Sequence, residues 1–408
     1  MFENTPLRTK QIRLDTGDRY PLTVSAEGIP VWWPNLYCSV ELHQTGLAYP
    51  TMVAQMNAIC LLHNICVSRN IDLDQRIGTV TLFSPEEINL LRDQLRRTCR
   101  NGMPSDGITS VAVVGNAHWR DRLKAIAKYI VWRCEPVLDR MGLSDQRLPE
   151  ARHRLEHFPE KLVGTIRVRR NTNKEGLDEV AQKAFLDAIT PGHPTNPFRP
   201  RNQIRNQALW MIYWDAGLRR GGALLMSGHD LRLSGSSPSV FVARRPNDPE
   251  DPRSVEPRNK TSAHQASIGP DTTRLLHNFV NYERRKYPGA KKSKFVFLSQ
   301  KGKSNGKAHP LSPSTVDKMY RRLRDLVPGL PADFTTHVLR RTHKDRMGDA
   351  AEEVGLAFDM ERLVINQESG WTATSDSLFE YQRRRLRKKG NKLSVLMQDR
   401  TKVMRGDE

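Results

Sequence analysis

His337-Val338-Leu339-Arg340-Arg341-Thr342, then Gly370-Trp371, then Tyr381: these three short words near the end of the chain decide how the rest is read. On a helix, His337 and Arg340 are three residues apart and share a face. Two more words precede them. Gly217-Leu218-Arg219-Arg220 supplies another arginine, and Asn259-Lys260-Thr261 supplies a lysine. The set is two guanidiniums, an ammonium, an imidazole, an indole and a phenol.

Such a set suits metal-free attack on a phosphodiester. Negative charge gathers on the non-bridging oxygens, and planar guanidiniums match those oxygens with two parallel hydrogen bonds. Preorganised cations aimed at developing charge are usually the largest catalytic contribution. Arg219 and Arg340 fit that role, His337 can move a proton near neutral pH, and Lys260 can protonate a leaving 5′ oxygen. Tyr381 is the candidate nucleophile. A tyrosyl phosphate would conserve the bond energy, so that strands can be rejoined.

Composition points the same way. The 408 residues carry 65 Lys+Arg against 45 Asp+Glu, a formal charge of +20. A field of that sign draws in polyanions. Inspection of the sequence finds no apolar run long enough to span a bilayer and no apolar leader after Met1. The expectation is a soluble, intracellular protein that binds nucleic acid and not membrane. The five cysteines, Cys38, Cys60, Cys66, Cys99 and Cys134, form no C-x-x-C pair. They read as reduced, packed thiols, with neither disulfide frame nor zinc site. No metal and no cofactor is expected.

Along the chain, residues 1–45 read as an N-terminal arm, with a hairpin turn at Glu27-Gly28 between two strand-like runs. Helical periodicity then covers 51–74, a helix capped by Ser84 with Pro85 in its first turn, and a third from about His118 to Leu138. Residues 46–162 thus form a small helical bundle, and 163–200 a linker with a helix near Asp178–Ile189. A second domain, 201–390, has an apolar helix at Asn202–Asp215, another opening after Gly217, and strands at Ser239–Ala243 and Lys260–Ile268. A four-proline loop separates the strands, and helix dominates from Ser314 onward. A tail, 391–408, carries Leu393, Val395, Leu396 and Met397 among charges, suited to packing on a neighbouring subunit.

Each residue also has a plainer reading. His337, Arg340, Arg341 and Lys344 recur as a solvated basic face would. Arg219 alone is a surface charge, Lys260 a solvent lysine, and Trp371 a core residue. Tyr381 follows Leu378 as a core tyrosine would. Gly302–Ala308 resembles a phosphate loop, but lacks one residue between its glycines and ends in alanine. Asp349, Glu352 and Glu353 suit a helix surface better than a metal site. The run Arg383–Lys389 is a charge block, either solvated or gripping a DNA backbone.

The order and wording of the motifs resemble the tyrosine recombinase (phage integrase) family. Gly217-Leu218-Arg219-Arg220-Gly221 is similar to its first arginine box and His337–Thr342 to its H-x-x-R box. Gly370-Trp371 with Tyr381 is similar to its closing box, in which some members carry tryptophan for histidine. Lys260 falls where the family keeps a β-hairpin lysine. The resemblance implies a multidomain, mainly α fold: a helical core-binding domain plus a mixed α+β catalytic domain with a small antiparallel sheet.

It also implies a site-specific recombinase that cuts and rejoins double-stranded DNA through a 3′-phosphotyrosine. Arg219, Lys260, His337, Arg340, Trp371 and the nucleophile Tyr381 would form the site. A homotetramer on two DNA sites, with room for accessory proteins, and a cytoplasmic, nucleoid-associated location follow from it. Two rivals are a type IB topoisomerase-like nicking and resealing enzyme and a catalytically degenerate DNA-binding regulator. The chain departs from the pattern at Gly222, where an acidic residue is usual. The Trp371–Tyr381 interval is one residue longer than the common one, and Pro246–Pro257 reads as an insertion.

Overall fold

In the computed structural model, helix Tyr49–Ser68 begins with Pro50 in its first turn, where a missing N–H costs nothing, and runs 20 residues. Its length and apolar composition would allow it to cross a membrane, whereas the sequence reading found no apolar run long enough for that. Its apolar side chains instead meet others of the chain: Met56, Ile59, Leu62 and Ile65 are at most 1% exposed. They pack within a cluster that also holds Leu123, Ile126 and Ile130. The structure describes residues 5–100, 103–104, 112–168, 174–299 and 309–405. The phosphate-loop-like run at 302–308 and the middle of the expected linker, 169–173, lie outside them.

The chain divides into two compact units, Met1–Arg170 and Asn171–Glu408. In the first, the helices Tyr49–Ser68, Pro85–Arg96, Asn116–Arg140 and Leu148–Val163 share one core. Ser84 caps its helix reciprocally. Its Oγ accepts from Glu87 N at 3.2 Å, and Glu87 Oε2 accepts from Ser84 N at 2.8 Å, which satisfies two otherwise orphaned donors.

The stretch expected to be an arm is folded onto this unit. Arg8–Arg13 pairs antiparallel with Arg19–Val24, and Leu7 exchanges two hydrogen bonds with the buried Asn64 side chain. The turn at Glu27-Gly28 forms, with Gly28 at φ +92°. It closes a single bridge, Val24 to Pro30, and Trp32–Tyr37 is helix, not strand. Cys38, Cys60, Cys66 and Cys134 are free and buried.

The second unit has a mostly helical core around Phe185, Trp210, Tyr320 and Phe334. The Trp210 and Tyr320 rings meet edge-on at 4.7 Å, a favoured geometry. Phe185 belongs to the helix Glu179–Ile189, capped by Asp178, so part of the expected linker is core. On one side lies an antiparallel sheet of three short strands, Leu231–Arg232, Ser239–Val242 and His264–Ser267. The last strand starts four residues later than its sequence suggests, leaving Lys260 in the loop before it.

Candidate active site

Four segments meet at Arg340. The helix Thr336–Glu353 carries His337, Arg340, Arg341 and Lys344. It is not a solvated basic face: Arg340 is 2% exposed and Lys344 0%, while His337 lies at the surface. Its apolar side, Val338 and Leu339, belongs to the main core. The core thus holds the helix, and through it Arg340, in place.

Arg340 Nη1 donates to the Gly217 carbonyl at 2.7 Å, and Nη2 to the Ser369 carbonyl at 3.4 Å. Gly217 has φ +58°, a left-handed conformation that suits glycine. A Cβ there would stand 2.2 Å from the His343 ring. His343 Nδ1 in turn donates to the Trp214 carbonyl at 3.1 Å, and Arg346 Nη1 to the same oxygen at 3.2 Å. These two side chains take up an orphaned carbonyl at the end of helix Pro200–Asp215, a position that favours basic groups. Arg219 follows directly, at the N-cap of Arg220–Leu225.

The third segment is the turn after helix Phe358–Glu368. Gly370 has φ +64°, and a Cβ there would stand 2.3 Å from His264 Nδ1 and 2.8 Å from the Ser262 carbonyl. The loop that bears Lys260 therefore runs into this turn. Glu368 fastens it further, accepting from Ser267 N at 2.7 Å and Ser267 Oγ at 3.0 Å. Buried Asn366 donates to the carbonyls of Ala373 and Ser375 at 3.0 and 3.2 Å, which shapes the chain after Trp371.

The fourth is the short helix Ser377–Tyr381. The Tyr381 ring lies 5.2 Å from the Trp371 ring. The Arg340 guanidinium is 5.1 Å from the Trp371 ring centre and 5.6 Å from that of Tyr381, and Arg341 is 5.8 Å from Tyr381. At these distances the ring quadrupole attracts the guanidinium. The structure thus brings Arg340, Trp371 and Tyr381 into mutual contact. Lys260 is exposed and makes no hydrogen bond or ion pair among the described residues.

The site is a concentration of positive charge. Burial lowers the Arg340 pKa, Arg219 lowers it further, and Tyr381 opposes both. His337 is held below its ordinary value by desolvation and by Arg341, Arg219, Arg340 and Lys174, so at neutral pH it is an uncharged imidazole. One Arg219 nitrogen, Nη1, and Arg340 Nε are buried without a hydrogen-bond partner. Buried donors of this sort are costly unless something accepts from them.

Sequence reasoning missed His264, His343, Asn366 and Gln382. Only proximity along the helix to Arg340 hinted at His343. The other three act through backbone carbonyls or turns that local sequence does not reveal. The basic block at 383–389 is spent largely inside the chain. Arg385 pairs with Glu361, Glu352 and Asp349, Arg387 with Glu175, and Lys388 with Glu179. Gln382 Nε2 donates to the Lys344 carbonyl at 3.0 Å. Gly348 leaves room for both Gln382 and Arg385, whose nitrogens stand 2.4 Å from where its Cβ would be. Among the described residues no His, Cys, Asp and Glu group could hold a metal ion.

Gly222 also finds a physical reason. A Cβ there would meet Val242 Cγ1 at 3.0 Å, so an acidic side chain has little room. Bracing comes instead from the proline-rich loop. Buried Arg253 pairs with Asp251 at 2.7 Å and donates to the Leu224 carbonyl, at the end of the Arg219 helix, at 3.0 Å. The Arg258 carbonyl sits 2.0 Å from where a Cβ of Gly221 would be.

No curated protein matches the chain in sequence. Several solved structures resemble it. The post-cleavage complex of XerH site-specific recombinase with a palindromic difH substrate is 15% identical, over 90% of this chain and 94% of that one, with a TM-score of 0.46. The Tn1549 transposon integrase with circular intermediate DNA is 14% identical, over 85% and 94%, with a TM-score of 0.47. XerA recombinase is 15% identical, over 85% and 93%, with a TM-score of 0.35. The model of the phage integrase family matches residues 183–352, which bear Arg219, Lys260, His337 and Arg340. Over those residues this chain carries a domain of the phage integrase family.

Proposed function

We propose that the protein is a site-specific tyrosine recombinase acting on double-stranded DNA. The observation that carries this reading is the cluster of Arg340, Trp371 and Tyr381, with both rings within 6 Å of one buried guanidinium. A phosphate entering beside it would meet Arg340 and Arg219, whose unsatisfied nitrogens offer donors. Tyr381 Oη attacks phosphorus while the bond to the 5′ oxygen breaks. The phenolic proton passes to the uncharged His337 imidazole, and Lys260 gives a proton to the departing 5′ oxygen. The products are a 3′-phosphotyrosine and a free 5′ hydroxyl. Attack by a 5′ hydroxyl from a second duplex reverses the steps on a new partner.

Trp371 contributes an indole N–H and a flat surface that holds Arg340 and Tyr381 in register. Lys and Arg contacts to phosphates would supply most of the affinity, so binding falls with added salt. A homotetramer on two sites, with the exposed tail leucines at a subunit contact, belongs to the same reading. So do residues 46–162 as a core-binding domain, and a cytoplasmic location alongside the DNA.

The test is covalent trapping from a pool of nicked duplexes of randomised sequence, with chelator present. Wild type should leave adducts that survive boiling in detergent, and their sequence gives the site. Tyr381→Phe should bind the recovered duplex and form none. Specific binding by wild type with no adduct would return the regulator reading.

A further inference from the structure

Lys344 is unused by the chemistry above, yet it lies beneath the site. It is 0% exposed, one helical turn beyond Arg340. Fully buried lysines are rare unless paired. The hydrogen bond recorded for its ammonium goes to Met347 Sδ at 3.5 Å, a weak acceptor. Its Nζ also stands 5.9 Å from the centre of the same Trp371 ring that Arg340 approaches at 5.1 Å. The Arg340 guanidinium and the Lys344 nitrogen therefore share one indole.

Among the described residues no carboxylate forms an ion pair with Lys344. Glu368 favours a charged Lys344, but both its oxygens are engaged by Ser267. Asp345, next on the helix, accepts from Arg385 N through Oδ1 at 3.4 Å, and Arg384, Asp349 and Glu175 set its field. Glu361 is committed to Arg385. The other charged or titratable groups coupled to it are Arg219, His264 and His343. Burial first, and then Arg340 and Arg219, hold Lys344 well below its ordinary pKa. An amine so placed loses its proton more readily than one in water.

We propose that Lys344 is a proton-linked positioning residue: an uncharged amine in the empty site, it takes up one proton when a phosphate-like anion settles between Arg219 and Arg340, and as an ammonium it then firms the Trp371–Arg340 contact. This rests on the phosphodiester reading of the site. The arriving anion supplies the counter-charge that the protein withholds, and solvent supplies the proton. Anion affinity consequently falls as pH rises through the window between the two states of Lys344.

The experiment is a pH titration of the full-length protein labelled at lysine Cε with carbon-13. It is read by NMR in sodium chloride and again in sodium sulfate at equal ionic strength. Sulfate is the probe, a tetrahedral dianion that does not titrate in the range. Loss of one resonance in Lys344→Met assigns the signal, and Lys344→Arg serves if the first variant does not fold. The Lys344 midpoint should lie far below those of the other lysines in chloride and rise by roughly one pH unit or more in sulfate. A Lys344 already charged in chloride at neutral pH overturns the proposal, and so does a midpoint equal in the two salts. Adduct formation at Tyr381 without the sulfate response sinks the Lys344 inference alone. The response without any adduct removes the recombinase reading instead.

Discussion

Arg340 and Gly217, 123 residues apart, are joined by a hydrogen bond of 2.7 Å from a buried guanidinium to a backbone carbonyl. The bond fixes the distance between the two arginine-bearing segments. Arg219 lies two residues past that carbonyl, so whatever moves Gly217 moves both arginines relative to each other.

Gly217→Ala should therefore harm stability and chemistry together. The alanine would hold φ +58° and press its Cβ to 2.2 Å from the His343 ring. Left-handed strain and overpacking together should cost about 2 kcal/mol or more, read as a lower urea midpoint. Adduct formation should fall with it.

Substitution at the guanidiniums should separate binding from cleavage. Arg219→Ala and Arg340→Lys should slow adduct formation by about 10²-fold or more, with duplex affinity changed only modestly. Single-turnover trapping on the selected duplex measures the first, and anisotropy the second. A variant that cleaves at the normal rate takes its arginine out of the site.

Arg385 anchors the helix Arg383–Arg405, and its loss would leave Glu361 buried without its cation, with 6% of that side chain exposed. Arg385→Ala should cost roughly 3–5 kcal/mol if the structure does not relax. Residues 383–405 should then exchange amide hydrogens much faster. Because Gln382 in the same turn holds the Lys344 carbonyl, presentation of Tyr381 should suffer too. Unchanged exchange in the tail would show that the other ion pairs suffice.

Asp345 carries a pH signature. Burial raises its carboxyl to about 7, and one oxygen has no partner. The folded state thus holds this proton more tightly than the unfolded chain. Its stabilisation is complete below about pH 4 and is lost as pH rises through about 7. Asp345→Asn should flatten that part of the stability curve and leave the variant more stable than wild type at pH 8. Parallel curves for the two proteins would show that Asp345 does not titrate there.

Much of the fold was legible because local chemistry and packing agree. Ser84 and Glu87 announce a capped helix, and Ile88, Leu91 and Leu95 say which face is buried. The site's arginines were legible only as words in order, since nothing in the periodicity of 337–344 separates a buried cation from a solvated one. The sequence pattern failed along Arg383–Lys389 because charge in sequence says nothing about which acids fold back to meet it, and at Lys344 because it does not say which cation the fold buries. Helix Tyr49–Ser68 was read as a bundle helix and is one; what the sequence reading missed is that a bundle's central helix can share its length and composition with a membrane span. The hairpin at 8–24 was missed because its first strand alternates few apolar residues.

The contact between Gly221 and the Arg258 carbonyl sets a rule for engineering this enzyme. A single hydrogen atom is the spacer between the two backbones, so residue 221 and the course of the proline-rich excursion are one module. A graft that brings in a relative's shorter connection must import that relative's own residues at 221 and 222, and a graft of the glycines alone would open a gap beneath Arg219.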